Sequence, residues 1–270
     1  MKFKKALMLI ATLLFLLTAV VCFADDLPGE WMPRWEIGDW WIVKRTVEGS
    51  RFTGRPYPSW SNFILFRFEV TGVGQVNGKI CYVLERRYWP IGKLTPPEVR
   101  TIFFLCKEDL CLVRLTDYAY SKKLLKSYSI DYKCNRGITF GVGLGGWINL
   151  PAFPLTYEGI RAVSLTKPPS DPEASYVTQN VSVCNIGNFS QQLADSEIVE
   201  VSSDTLCYHV ILEGGGSEKD RKKIGVNYAE QLWSPQFPWY LYEEVGHKSP
   251  EGTKKLWRKT WLFDCSSFHK

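Results

Sequence analysis

The segment "CYHVILE", Cys207 to Glu213, sets a thiol, an imidazole and a carboxylate on alternate positions. In a strand Cys207, His209, Ile211 and Glu213 share one face. A thiol beside an imidazole is the composition of a cysteine nucleophile or of a metal site. Same-face neighbours along one strand stand roughly 7 Å apart, so Cys207 and His209 can meet only through a third chain segment. A matching stretch, "CYVLE", presents Cys81, Val83 and Glu85 and has no histidine. Elsewhere the chain holds no GxSxG elbow and no HExxH. The glycines of "GITFGVGLGGW" lack the Lys-Ser or Lys-Thr of a phosphate loop. Glu243 and Glu244 are adjacent, so an extended chain points them to opposite faces and they make no glycosidase pair. With no CxxC spacing and three histidines in all, zinc is disfavoured. The sequence therefore reads as a non-enzyme without cofactor or metal.

The remaining cysteines must be read against the compartment. The chain opens "MKFKK", runs apolar from Ala6 to Phe23 and ends this run in "VCFADD", where Cys22 and Ala24 are the small residues a signal peptidase needs. Residues 1–24 are expected to be a signal peptide, with the mature chain starting at Asp25 in an extracytoplasmic space, periplasmic or secreted. The alternative is an uncleaved anchor, the one case in which membrane contact is expected; Val21 argues against lipid on Cys22. Cleavage removes Lys2, Lys4 and Lys5 and takes the formal charge from +5 to 5 − 3 = +2. That leaves no nucleic-acid footprint, because the cluster "EKDRKKIG" mixes both signs. Of eight cysteines, seven follow Cys22, allowing three disulfides and one thiol in an oxidising compartment. "FFLCKEDLCLV" supplies the nearest pair: a hairpin through "KEDL" sets Cys106 opposite Cys111 as disulfide candidates.

The dominant period along residues 25–270, expected to be a single domain, is two. Ile64, Phe66, Phe68 and Val70 alternate with Leu65, Arg67, Glu69 and Thr71, the pattern of a strand buried on one face. "KICYVLERRYW", "VRTIFFLC", "LCLVRL", "SEIVEVS", "DTLCYHVILE" and "KKLWRKTWLFDC" extend the series. Only "DYAYSKKLLKSYS" (117–129) and "NFSQQLADS" (188–196) suggest helical turns. The sequons at Asn180 and Asn188, after "TKPPSDPEASY", mark an exposed connection. The chain is mainly antiparallel β with few short helices.

Beneath the strands lies a faint repeat. "FEVTGVGQVNGKICYVLE" laid over "ADSEIVEVSSDTLCYHVILE" puts Cys81-Tyr82 on Cys207-Tyr208, an offset of 207 − 81 = 126. "FFLCKEDLCLV" then falls on "QLWSPQFPWYL", and "WEIGDWWIV" has a looser echo in "FPLTYEGIRAV". Two duplicated hairpin-rich halves, about 35–130 and 150–265, are expected; chance similarity among hairpins is the alternative.

A "W..GD.W" opening strand, an "FPL..G" segment at Phe153 to Gly159, and "LW" followed by "WRKTWLFD" together resemble bacterial envelope proteins of the outer-membrane lipoprotein carrier (LolA-like) superfamily. The resemblance spans Trp35 to Asp264 and rests on no diagnostic motif. It implies one strongly curved antiparallel sheet, half-barrel or clam-like, whose concave face holds acyl chains or a partner's tail under helical lids. This sequence departs from that pattern where lids should be.

Eleven tryptophans follow the signal segment. Trp40 and Trp41 must point to opposite faces of their strand. In "LWSPQFPWYLYEE", Pro235 and Pro238 cannot donate ladder hydrogen bonds, so Trp233, Phe237 and Trp239 belong to a turn or edge. These five aromatics are the candidate ligand-binding residues: one of the Trp40–Trp41 pair in the core, the rest around an aromatic groove. Loop-covered packing is the other reading. The expected function is an exported, non-catalytic envelope protein whose partner is an apolar small molecule, a lipid or a protein segment. Alternatives are a glycan-binding module with exposed tryptophan platforms, or a structural subunit of an envelope complex.

Overall fold

The computed structural model describes residues 29–47, 63–89, 100–121, 124–132, 139–142, 148–156, 159–164, 176–194, 201–214 and 222–269. The signal segment and "TKPPSDPEASY" lie outside them, apart from the terminal Tyr176. In chain order the strands are β1 (Glu30–Trp31), β2 (Trp40–Val47), β3 (Phe63–Val76), β4 (Lys79–Trp89), β5 (Arg100–Cys106), β6 (Leu112–Ser121), β7 (Leu124–Asp131), β8 (Thr139–Val142), β9 (Ile148–Leu150), β10 (Leu155–Thr156), β11 (Gly159–Ser164), β12 (Tyr176–Asn185), β13 (Leu206–Gly214), β14 (Val226–Trp233), β15 (Tyr242–Lys248) and β16 (Lys254–Cys265). A 3-10 turn, Ile186–Phe189, runs into a single helical turn, α1 (Ser190–Leu193), and a C-terminal 3-10 turn, Ser266–His269, follows β16.

Twelve strands form one curved, antiparallel sheet in the order β11-β12-β13-β14-β15-β16-β2-β3-β4-β5-β6-β7. Each half is a six-stranded meander, and the β16–β2 ladder stitches them together. No ladder joins the outer strands β7 and β11 among the described residues, so the half-barrel is open. The offset of 126 carries β4 onto β13, with Cys81 and Cys207 near the start of each and Tyr82 and Tyr208 beside them on the inner face.

Alternation decides which side chains line the inside. Trp41 and Val43 of β2, Phe66, Phe68 and Val70 of β3, Tyr82 and Leu84 of β4, and Val210 and Leu212 of β13 all join one buried cluster. The concave side is not empty. Ile148, Leu150, Ala152, Phe153 and Leu155, from the connection between the halves, are buried in the same cluster. The Gln179 side chain clamps that connection, accepting from Ala152 N at 2.7 Å and donating to Ala152 O at 3.1 Å. β1 pairs with β10 and straps the same mouth.

Two local expectations change. The described residues of "DYAYSKKLLKSYS" are not helical: they belong to the paired strands β6 and β7, with Thr116 opposite Ser129 and Asp117 opposite Tyr128. Its tyrosines favour a strand, and it has no wide apolar stripe to hold a helix down. The strand before β13 is not "SEIVEVS", whose described residues Val201 and Ser202 lie outside any strand; it is "YVTQNVSVCN". The Asn180 sequon is therefore within a sheet strand rather than a connection. "NFSQQLADS" does supply α1.

Candidate functional site

β2 separates its two tryptophans as the pleat requires. Trp41 is fully buried on the inner face, while Trp40 is half-buried on the outer face beneath the Arg67 guanidinium, 5.0 Å from its ring. Trp41 stacks on Phe68 at 5.8 Å and on Trp239 at 5.0 Å, and Trp239 lies 5.7 Å from Trp233. Three of the five candidate aromatics thus meet in one cluster, but all three are fully buried. Phe237 stands at its rim, 7% exposed.

Trp31 and Trp35, which spacing alone did not single out, cap this cluster. Trp31 stacks on Tyr208 at 5.6 Å, and Trp35 packs on Tyr82 at 5.2 Å. The strap therefore lays one tryptophan on the same repeat tyrosine of each half. Trp35 Nε1 donates to Pro238 O at 2.8 Å, tying the strap to the proline-rich β14–β15 connection. The Cys-Tyr dipeptide in each half marked the two tyrosines in the sequence, but nothing local assigned them a tryptophan partner.

Where strap, proline-rich connection and the C-terminal 3-10 turn converge, a pocket of about 350 Å³ opens. Trp31, Met32, Phe237 and Pro238 give it apolar walls, and Arg34 and Ser266 are among its polar lining. Ser266 Oγ accepts from Trp40 N at 3.3 Å and donates to the Asp39 carboxylate at 3.4 Å, fixing the polar rim. Pockets of this size suit a small ligand or one end of a larger one. Within the cluster below, the Trp41 indole N–H meets no acceptor among the described residues.

Deeper inside, the inner face turns polar. Glu243, fully buried, accepts from Asn149 Nδ2 at 2.8 Å, Gln231 Nε2 at 2.9 Å and Arg258 at 2.8 Å. Burial pushes the Tyr240 hydroxyl up, and Glu243 beside it adds to this. Arg45 lies over Phe66 at 4.7 Å and donates to Thr260 at 3.4 Å. Burial, with Arg258 adding to it, lowers the Arg45 guanidinium to about 9. The belt locks the connection onto the sheet, so the interior is packed rather than an open channel.

No family model matches the chain, and no curated protein does. Among solved structures it is similar to a β-barrel-like protein of the domain of unknown function DUF1849 from Brucella abortus. The two share 9% identity over 87% of this chain and 98% of that chain, with a TM-score of 0.43.

The disulfide candidates Cys106 and Cys111 flank the β5–β6 turn, where Cys106 N donates to Cys111 O at 2.9 Å across the hairpin. Leu110 takes a left-handed φ of 51°, and Asp109 caps the Cys111 amide at 3.1 Å. The Cys111 sulfur sits against its own strand, 3.9 Å from Leu112 O. Cys106 also opposes Cys81 across β4 and β5, within an outer cluster with Val76 and Val113. The segment that "CYHVILE" needed is also present. β12 sets Cys184 opposite Cys207 and Ser182 opposite His209.

Proposed function

We propose that the protein is an exported, non-catalytic envelope protein that holds an apolar ligand, a lipid-like chain or a partner's greasy segment at the aromatic mouth of its curved sheet. Such a role accords with the lipoprotein-carrier resemblance. The observation that carries the reading is the pocket between Trp31, Met32, Phe237 and Pro238, set directly on the tryptophan cluster. Its lining is about half apolar and half polar, which suits an amphipathic molecule. In this reading the strap and the inter-half connection take the place of helical lids. The chain starts at Asp25 and runs in the soluble extracytoplasmic fraction, which N-terminal sequencing checks.

Solvent extraction of the purified mature protein, followed by mass spectrometry, should recover a lipid or other apolar compound. An apolar fluorescent probe should bind wild type and bind Phe237→Ala about tenfold more weakly, a loss of about 1.4 kcal/mol. An empty extract together with equal probe binding by both proteins would overturn the reading. The glycan alternative is favoured by one observation alone: Trp257, 39% exposed, presents its ring over His247 at 6.1 Å. Glycan-array binding lost in Trp257→Ala would establish it instead.

A further inference from the structure

Cys184 on β12 and Cys207 on β13 are directly opposed, and their sulfurs lie 3.3 Å apart. Opposed residues of an antiparallel pair have Cα atoms roughly 4.5 to 5.5 Å apart, within the span a disulfide bridges. Closing the sulfurs by about 1.3 Å would make a bond of ordinary length.

The two thiols are unequal. Cys207 is fully buried, whereas Cys184 is half-buried where β12 leaves the sheet for the 3-10 turn, next to exposed Val183. The hydrogen bond between the sulfurs, reinforced by burial, pushes the Cys207 thiol well up. The same hydrogen bond holds Cys184 below the ordinary thiol value; burial opposes this and the charge of nearby His209 helps it. His209 is itself fixed: Nε2 lies 2.8 Å from Glu230, Nδ1 lies 3.5 Å from Ser182 Oγ, and the Phe189 ring packs at 5.0 Å. A half-buried sulfur shifted toward its thiolate, backed by a fully buried thiol within reach, is an arrangement suited to thiol–disulfide exchange.

We propose that Cys184 and Cys207 form a thiol–disulfide exchange site for a small organic disulfide, Cys184 being the sulfur that meets it and Cys207 the one that resolves it. The Cys184 thiolate attacks one sulfur of the incoming disulfide. That S–S bond breaks, a mixed disulfide forms at Cys184, and the departing thiolate takes up a proton. Cys207 then loses its proton to solvent and attacks the Cys184 sulfur, expelling the second thiolate. Two protein thiols become one disulfide, and the incoming disulfide leaves as two thiols. By alternation Cys207 lies on the face of β13 opposite Tyr208, the residue that stacks on Trp31 at the mouth.

The test treats the reduced mature protein with glutathione disulfide as the probe. Peptide mapping of wild type should find Cys184 joined to Cys207 and no lasting glutathione on either. Cys207→Ala should accumulate glutathione on Cys184, and Cys184→Ala should carry none on Cys207. Excess reduced glutathione should return folded wild type to the dithiol. Four results would overturn the proposal: no Cys184–Cys207 link, glutathione on Cys207 first, a link that reduced glutathione cannot open in the folded protein, or no adduct on Cys184 in folded Cys207→Ala. If Cys207→Ala fails to fold, acid-quenched mixing of wild type replaces it. A transient glutathione adduct on Cys184 then supports the site, and its absence refutes it.

Discussion

Each half of the sheet opposes two cysteines across neighbouring strands on its outer face, yet the surroundings of the two pairs are unlike. In the N-terminal half, Cys81 and Cys106 are both buried beside Val76 and Val113. Burial raises both thiols, Cys81 to about 11. In the C-terminal half Cys184 stays half-buried, and a line of polar groups runs on through His209, Glu230 and Lys254. The sequence offset of 126 aligns Cys81 with Cys207 but not their partners: Cys81 turns to the following strand, Cys207 to the preceding one. The same register position therefore yields a pair buried on both sides in one half and a pair with one half-buried member, Cys184, in the other. What surrounds a thiol, rather than its register position, decides its chemistry.

The halves differ inside as well, and there the largest effects are expected. Glu243 in the C-terminal half has charged and polar partners on all sides, and Arg258 depends on it at 2.8 Å. Glu243→Ala leaves a guanidinium buried without its carboxylate and should destabilise by about 3 to 5 kcal/mol. Arg86 in the N-terminal half donates to Thr101 at 2.8 Å and rests on Phe66 and Phe103, each 5.5 Å away. Arg86→Met keeps the packing and should lose about 1 to 3 kcal/mol. Trp41→Ala, emptying the seam between the halves, belongs with the larger group at about 3 to 5 kcal/mol. Denaturant melts measure all three. Equal losses in Glu243→Ala and Arg86→Met would erase the internal contrast.

Acid titration sharpens it next. Burial works against the Glu230 carboxylate, but hydrogen bonds from His209 and Lys254 outweigh it and hold the group at about 2, against an ordinary 4.5. A depressed carboxylate stabilises the fold above its unfolded value and loses that contribution as pH falls. From about pH 5 towards pH 2, wild type should lose about 2 to 3 kcal/mol more than Glu230→Gln does. Asp131 in the other half is also lowered, chiefly by its hydrogen bond from Arg114 at 2.5 Å, but its side chain is 44% exposed. Solvent screens that pair, so Asp131→Asn should change the acid slope far less.

How much of this could be read beforehand depended on whether a signal was local. Alternation from Ile64 to Val70 placed β3 and its inner face, and the pleat alone separated Trp40 from Trp41. Pro235 and Pro238 marked the connection between β14 and β15. The failures came from pairing across distance. Tyr118 and Tyr128 lie in β6 and β7, but their stretch also contains "KKLLK", and only the ladders show that the two strands pair. Cys184 sat in a stretch read as a loop, so its opposition to Cys207 was invisible until β12 was in place. Cys106 and Cys111 are close in sequence, but only the ladder shows that Cys106 also opposes Cys81 on β4. The concave groove was expected from tryptophan density, but nothing local showed that Ile148 to Leu155 would fill it.

The smallest effects should come from the tryptophans of the two outer faces, which test whether either half presents a sugar platform. Trp40, on β2 of the N-terminal half, lies under Arg67 and is half-buried. Removing its ring forfeits a partly solvated cation–π contact and some packing, so Trp40→Ala should cost about 1 kcal/mol. Trp257, on β16 of the C-terminal half, is 39% exposed and touches His247 at one face of its ring. Little surface is lost from the fold when it is truncated, and Trp257→Ala should stay within about 0.5 kcal/mol of wild type. Both variants should bind the apolar probe as wild type does, because neither ring belongs to the aromatic cluster under the mouth. A loss of probe binding in Trp257→Ala, with stability unchanged, would move the ligand from the mouth to the outer face of the C-terminal half.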